Sequence, residues 1–131
     1  MKAIVYSAYG PPEVLQLQEV QKPAAKENEV LIKVHAASVT FGDVAVVQGE
    51  PAVARLWSGL TKPKYPTPGK DVAGEVEAVG SGVKQFQPGE AVYGDISAFG
   101  WGTYAEYVTV DARAVAPMPT NLSFAEAAAV P

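Results

Sequence analysis

The chain contains the run Val30-Leu31-Ile32-Lys33-Val34-His35-Ala36, in which apolar side chains recur at every second position. In an extended strand its even-numbered residues share one face, and its odd-numbered residues share the other. A second run, Val72-Ala73-Gly74-Glu75-Val76-Glu77-Ala78, has the same period and turns its two glutamates toward water. Alternation of this kind predicts strands with one buried face.

The rest of the pattern favours more short strands and little helix. Further strands are predicted at residues 3–6, 15–18, 91–95, 104–110 and 113–116. Short helices fit residues 41–48 and 52–57. The 12 glycines and 11 prolines mark turns between these elements. We therefore expect a mainly β fold, a closed or nearly closed β-barrel with a few short helices, because closure removes exposed strand edges.

Length and charge narrow the class of protein. The 131 residues fit one domain, and 48% of them are apolar. The net charge of −4 argues against nucleic acid as the main partner, because phosphate binding needs clustered lysine and arginine. No segment has the pattern of a signal peptide or the length of a membrane span. These features predict a cytoplasmic protein with neither a nucleic-acid partner nor a membrane partner.

The residue inventory argues against a metal site. The chain has no cysteine, and His35 is its only histidine. A thiolate zinc site and a multi-histidine site both need ligands that this chain lacks. His35 lies within a predicted strand, where a surface or cross-strand role is favoured over a general base.

Two glycine-containing motifs need separate interpretations. Val79-Gly80-Ser81-Gly82-Val83 has glycines spaced like those of a phosphate loop, but residues 84–89 break the helix that such a loop requires, so a tight turn is favoured. Gly69-Lys70-Asp71-Val72-Ala73-Gly74-Glu75-Val76 places glycines around the start of a strand. That motif fits a barrel corner, and it also fits a cleft bordered by Lys70 and Asp71.

Candidate polar and aromatic side chains remain ambiguous on spacing alone. In Ser38-Val39-Thr40-Phe41-Gly42-Asp43, Thr40 or Asp43 either caps the following helix or presents a polar group into a pocket. No set of nucleophile, base and orienting residue is visible. Spacing does not distinguish a core position from a position on the rim of a cleft for the aromatic residues Tyr65, Tyr93, Trp101, Tyr104 and Tyr107.

The last residues predict a helix that begins well and stops early. Ser123-Phe124-Ala125-Glu126 has the pattern of a capping box, and only four residues separate Glu126 from the final Pro131. About two turns of helix need tertiary packing to persist in water. We therefore expect a chain that was cut or whose partner surface lies elsewhere. Such a cut would expose an apolar face that includes Phe124, Ala128 and Val130 and would favour association into a homodimer.

An ordered series of motifs covers essentially the whole chain. In order, they are Met1-Lys2-Ala3, Tyr9-Gly10-Pro11-Pro12, Val30-Leu31-Ile32-Lys33-Val34, Ala37-Ser38-Val39, Gly42-Asp43, Pro68-Gly69-Lys70-Asp71-Val72-Ala73-Gly74, Val79-Gly80-Ser81-Gly82-Val83, Phe86, Pro88-Gly89-Glu90, Gly102-Thr103-Tyr104-Ala105-Glu106-Tyr107 and Leu122 to Pro131. The series resembles the N-terminal GroES-like domain of the medium-chain dehydrogenase/reductase superfamily. The resemblance implies that residues 1–131 form a GroES-like contorted β-barrel.

Within the superfamily, the chain resembles the zinc-independent quinone oxidoreductase branch. Zinc-dependent members carry a cysteine where Thr40 stands and Gly-His-Glu where this chain has Gly69-Lys70-Asp71. The branch often has asparagine at the position of Thr40, and threonine keeps a donor and an acceptor there. The resemblance therefore implies chemistry without zinc.

The resemblance also implies which residues form the site. Thr40 and Asp43 would line the catalytic cleft, and Thr40 with Phe41 would contact the cofactor. Tyr65, Tyr93 and Trp101 would form an apolar substrate pocket.

In such proteins the barrel packs on a C-terminal Rossmann domain that binds NADP or NAD. A hydride then passes to a carbonyl, quinone or enone substrate in the cleft between the two domains. The chain has no strand–GxGxxG–helix unit, so we expect a domain that is inactive alone and binds no cofactor by itself. The alternative from a different class is a stand-alone GroES-like binding or assembly module.

Overall fold

The computed structural model describes the backbone of residues 1–131 and every side chain except those of Trp57 and Ser58. Along the described backbone the strands are β1 (Lys2–Val5), β2 (Gln16–Glu19), β3 (Glu29–Ala36), β4 (Asp71–Val79), β5 (Ala91–Asp95), β6 (Tyr107–Asp111) and β7 (Ala116–Pro117). The α-helices are α1 (Phe41–Gln48), α2 (Arg55–Ser58) and α3 (Phe124–Ala128). Short 3₁₀ turns occupy Pro12–Val14, Ala52–Ala54 and Ala112–Ala114.

The strands form two antiparallel sheets that the chain joins. β1 pairs with β2, and the other strands follow the order β6-β3-β4-β5-β7. β1 also contacts the segment just before β6, where the Ile4 N–H donates to the Tyr104 carbonyl at 2.8 Å and the Glu106 N–H donates to the Lys2 carbonyl at 3.0 Å. This connection wraps the small sheet onto the large one. The predicted mainly β architecture with few short helices is confirmed.

The main core lies on the face of the large sheet that the alternating pattern predicts. Val30 and Ile32 on β3 are buried against Val72 and Val76 on β4 and Val92 on β5. Burying these branched side chains together supplies the main driving force for the fold. The opposite face of β4 is covered as well, since Ala73 packs against helix α3.

Most predicted elements fall within a few residues of their observed positions. The helix predicted at 41–48 is α1, and the segment predicted at 52–57 becomes a 3₁₀ turn followed by α2. The strand predicted at residues 113–116 is wrong. There the Asp111 carboxylate accepts the N–H of Arg113 at 2.9 Å, which turns the chain into a 3₁₀ segment and leaves β7 only two residues long.

Gly74 sits where β3 and β4 approach most closely. A Cβ atom at this position would lie 2.2 Å from the Lys33 carbonyl oxygen. The ladder between the two strands shifts register between Val34 and Ala36, beside this contact. The glycine in the predicted strand therefore permits a bulge and a close backbone approach, as one interpretation of the motif expected.

Helix α3 packs back onto the chain's own sheet. Ser123 and Glu126 form the predicted capping box, with the Glu126 N–H donating to Ser123 Oγ at 3.1 Å and the Ser123 N–H donating to Glu126 Oε1 at 3.0 Å. Ala128 is only 2% exposed, and Phe124 packs against the same cluster. The expectation that Phe124 and Ala128 would be uncovered is wrong, because the alanine face fits closely on Ala73. Val130 is 60% exposed, as predicted.

Candidate functional site

The first turn of α1 holds a buried carboxylate beside a hydroxyl group. The Asp43 side chain is 2% exposed, and its Oδ2 accepts the Thr40 N–H at 2.8 Å and the Thr40 hydroxyl at 3.0 Å. Because the hydroxyl proton points at Asp43, the Thr40 oxygen turns its acceptor lone pairs elsewhere. The second Asp43 oxygen, Oδ1, receives no hydrogen bond from the described residues. A buried acceptor without a donor is uncommon and is typical of functional sites.

Tyr104 lies near the Asp43 carboxylate. Its hydroxyl donates to the Ser38 carbonyl at 2.9 Å. Burial of the ring raises the pKa of Tyr104 well above its ordinary value, and the negative charges of Asp43 and Asp71 raise it further. The phenol therefore stays protonated at physiological pH.

A second polar cluster begins at the start of β4. Asp71 is fully buried, and it accepts hydrogen bonds from the Ser38 hydroxyl and the Lys70 ammonium, both at 2.9 Å. The ammonium also reaches Asp95 at 3.1 Å. Burial alone would lower the pKa of Lys70, but hydrogen bonds and charge attraction from both carboxylates outweigh it and raise that pKa. Lys70 is therefore a fixed cation between two carboxylates.

The two polar groups lie on either side of Gly42. A Cβ atom on Gly42 would lie 3.6 Å from Thr40 Oγ1 and 3.7 Å from Lys70 Cε. Lys70 therefore runs beside the first turn of α1, at ordinary contact distance from Gly42. One site therefore combines the Thr40–Asp43 pair with the Lys70 cation.

These residues do not fit a zinc ion. The resemblance to the superfamily puts Thr40, Lys70 and Asp71 where its zinc-dependent members carry their ligands. A protonated lysine has no lone pair for a metal, and its ammonium fills the space beside Asp71. Within the described residues, no group of three metal-binding side chains comes together.

A cavity of about 380 Å³ extends along the next turns of the same helix. We call it the α1 cavity, and it is large enough for a small organic molecule. Its lining includes Tyr6, Ala45, Val46, Tyr65, Pro68 and Trp101. Ser97 also lines it, and the Ser97 N–H donates to Asp95 at 2.9 Å, which links the cavity to the Lys70 cluster.

The predicted pocket residues separate into two groups. Tyr65 and Trp101 both line the α1 cavity. Tyr93 does not lie among its lining residues, because it is in β5 opposite Ala73 and packs in the cluster beneath α3. Sequence reasoning also missed Tyr6, which lines the cavity from the end of β1. The sequence feature that could have identified Tyr6 is its position as a tyrosine at the end of an apolar strand.

Phe41 lies on the outer surface of α1. Its side chain is 87% exposed, next to the exposed apolar residues Val39 and Val44. Val39 and Val44 also line a smaller apolar concavity of about 180 Å³ that reaches Asp43 and Tyr104. The start of α1 therefore combines a buried polar pair with an exposed apolar surface.

The chain belongs to the family of alcohol dehydrogenase GroES-like domains, whose family model matches residues 26–120. It is 42% identical to a 2-methylene-furan-3-one reductase of Solanum lycopersicum, over 100% of this chain and 34% of that protein. It is 39% identical to a chloroplastic NADPH-dependent alkenal/one oxidoreductase of Arabidopsis thaliana, again over 100% of this chain and 34% of the relative.

The fold agrees with a solved structure of the same group. The quinone oxidoreductase from Coxiella burnetii superimposes with a TM-score of 0.88 and 35% identity, over 100% of this chain and 41% of that one. The predicted resemblance to the zinc-independent branch is confirmed by these relatives. The chain spans about a third of the length of the curated relatives it matches.

No helix among the described residues combines the length and the apolar character that a bilayer crossing requires.

Proposed function

We propose that this chain is the substrate-side domain of a zinc-independent, NADPH-dependent oxidoreductase that reduces enones, quinones or related carbonyl compounds. The dinucleotide would be held by a Rossmann domain elsewhere in the same protein. The observation that carries this proposal is the α1 cavity, which is lined by aromatic side chains and is linked through Ser97 and Asp95 to the Lys70 cluster. The names of the relatives supply the reaction class.

The Thr40–Asp43 pair is suited to hold the amide end of a nicotinamide. Because the Thr40 hydroxyl donates to Asp43, its oxygen is oriented to accept an N–H from a carboxamide. Asp43 fixes that orientation, so little entropy is lost when the ring binds. When bound, NADPH supplies the hydride, and this chain positions the nicotinamide ring.

The exposed surface formed by Val39, Phe41 and Val44 is suited to contact a second domain. A group of three exposed apolar side chains that lie close together is typical of an interface with another domain. In this proposal Phe41 lies at the domain boundary, next to the nicotinamide. The site is then completed by two domains, and water is excluded when they meet.

The cavity walls suit a planar, largely uncharged substrate. Tyr65 and Trp101 offer flat apolar surfaces. A quinone or an enone stacks on such surfaces and keeps its oxygen for a polar contact. Tyr93 has no part in this pocket in our proposal, because it packs beneath α3. The cytoplasmic location and the homodimer both remain predictions.

The test is a reduction assay on the full-length gene product. NADPH oxidation is followed with a quinone and with an α,β-unsaturated ketone, with NADH as the alternative donor and zinc content measured by elemental analysis. We expect NADPH-dependent turnover without stoichiometric zinc, and no turnover by residues 1–131 alone. Turnover that requires zinc, or full activity of the isolated chain, would refute the proposal.

A further inference from the structure

Tyr6 places a buried phenol against the α1 cavity. It follows β1 directly, and its N–H donates to the Pro66 carbonyl at 2.9 Å. Together with Val5 and Ser7 it borders a groove next to β2. Tyr6 also lines the α1 cavity, where Tyr65 and Trp101 are its neighbours on the wall. The residue is only 5% exposed.

The Tyr6 ring is held in place by its neighbours. Tyr9 contacts it edge to face, with ring centroids 6.4 Å apart and an angle of 71° between the planes. A ring that is buried and contacted in this way has little freedom to turn its hydroxyl elsewhere. The position of the phenol oxygen is therefore set before any ligand arrives.

The Tyr6 hydroxyl differs from the other tyrosine hydroxyls near the site. Tyr104 donates to the Ser38 carbonyl and Tyr9 donates to the Gly59 carbonyl at 2.6 Å. No described residue makes a hydrogen bond to the hydroxyl of Tyr6. Phenols with buried rings normally find a partner. An unused donor on the wall of a cavity is therefore a place where a ligand acceptor fits.

The protonation state of Tyr6 suits a donor. Burial raises its pKa to about 12, and the neighbouring Tyr9 contributes to the rise. The phenol therefore carries its proton at physiological pH. The carbonyl oxygen of an enone or quinone gains negative charge when hydride arrives, and a fixed donor aimed at that oxygen favours this change.

We propose that the Tyr6 hydroxyl donates a hydrogen bond to the carbonyl oxygen of the substrate in the α1 cavity, while Tyr65 and Trp101 bind its apolar part. This inference rests on the proposed function and adds the residue that recognises the substrate oxygen. Tyr6 is then a catalytic residue, because the same contact strengthens as charge develops on the oxygen.

The first experiment is Tyr6→Phe in the full-length gene product, with Tyr93→Phe as the matched control, since Tyr93 lies outside the cavity. We expect kcat/KM for the quinone to fall about 10- to 100-fold in Tyr6→Phe, with NADPH affinity and Tm unchanged. Tyr93→Phe should retain the parent value. Equal kcat/KM in Tyr6→Phe and parent, or an equal loss in both variants, would overturn the inference.

A second measurement begins with the parent enzyme. Acetophenone and ethylbenzene are compared as competitive inhibitors of the parent enzyme, because they differ in the carbonyl oxygen. We expect acetophenone to bind about 10-fold more tightly, and this preference to disappear in Tyr6→Phe. Equal affinities in the parent would overturn the role of Tyr6 while leaving the proposed function intact. A full-length product that reduces neither quinone nor enone would overturn both.

Discussion

The rings of His35 and Phe124 are stacked, with centroids 4.1 Å apart and 20° between their planes. His35 lies on β3 and Phe124 begins α3, so this contact joins the central sheet to the last helix. The His35 imidazole also lies 3.6 Å from the Glu75 carboxylate on the neighbouring strand. The lone histidine is therefore a cross-strand packing residue, as its position in an alternating strand predicts, and not part of the candidate active site.

Replacing Phe124 tests whether this stacking anchors α3. Phe124→Ala removes the ring contact with His35 and part of the apolar cluster around Ala73. We expect the free energy of unfolding to fall by about 1–3 kcal/mol, less than for a fully buried phenylalanine, in urea denaturation. Val130→Ala is the control and should stay within about 0.5 kcal/mol, because Val130 is largely exposed. Equal losses in the two variants would contradict the anchoring role.

Lys70 should stabilise the fold by neutralising Asp71. Lys70→Met leaves a fully buried carboxylate without its cation, so we expect a loss of about 3 kcal/mol or more in the free energy of unfolding. Adding Asp71→Asn should recover part of this loss, because the buried charge is then gone. Lys22→Met breaks an exposed pair with Glu77 and serves as the control, with a much smaller effect. If Lys70→Met costs no more than the control, the buried pair is not stabilising.

Asp95 should make stability depend on pH. Burial acts to raise its pKa, but hydrogen bonds from Ser97 and the Lys70 ammonium outweigh burial and lower the pKa below its ordinary value. Its contribution is therefore fully present above the unfolded pKa of about 3.9 and is lost as the pH falls through the lower, folded pKa. We expect Asp95→Asn to be less stable than the parent at pH 6.

The difference between Asp95→Asn and the parent should shrink toward zero near pH 2. Asparagine keeps an oxygen for the Ser97 N–H, so the comparison isolates the charge. Urea denaturation of both proteins from pH 6 to pH 2 measures it. A difference that stays constant over this range would show that the Asp95 charge does not contribute.

A methyl group at Gly74 should force β3 and β4 apart. Gly74→Ala places Cβ 2.2 Å from the Lys33 carbonyl oxygen, and backbone atoms on a central strand have little room to move. We expect a loss of about 2–3 kcal/mol in thermal or urea unfolding. Gly42→Ala is the matched control, since its Cβ meets nothing closer than 3.6 Å and alanine is the better helix former. It should leave stability unchanged or raise it, and an equal loss in both variants would argue against the clash.

Thr40 should be needed for cofactor affinity in the full-length gene product. Thr40→Val keeps the shape of the side chain and removes the oxygen that we propose accepts the carboxamide N–H. We expect the Kd for NADPH, measured by fluorescence titration, to rise about 10-fold, which corresponds to the net value of one hydrogen bond. Thr40→Ser keeps the oxygen and should bind NADPH like the parent. Unchanged affinity in Thr40→Val would remove Thr40 from the cofactor site.

The sequence pattern was sufficient to predict elements that depend on interactions between residues close in the chain. Alternation predicted β3 and β4, and the Ser123–Glu126 pattern predicted the start of α3, because strand pleating and helix capping depend on residues close in sequence. The same reasoning failed at residues 113–116. There one hydrogen bond from the Arg113 N–H to the Asp111 side chain was enough to replace an extended strand with a turn.

The aromatic residues show where local reasoning ends. Tyr65, Tyr93 and Trp101 were equivalent candidates in the sequence. Strand register turns Tyr93 toward Ala73 and the cluster beneath α3, while Tyr65 and Trp101 meet at the α1 cavity. Tyr6 lies far before Tyr65 in the sequence, and the hydrogen bond from its N–H to the Pro66 carbonyl brings it next to Tyr65.

The sequence by itself determined the strand pattern, the short helices, the absence of cysteine, the single histidine and the family resemblance, because each depends on residue type and short-range spacing. Only the tertiary structure decided that Lys70 lies between Asp71 and Asp95, that α3 covers its own sheet, and that Tyr6 lines the α1 cavity with Tyr65 and Trp101. These features arise from contacts between residues far apart in the chain. The direction of a side chain across such a contact depends on register and packing, which a one-dimensional pattern does not contain.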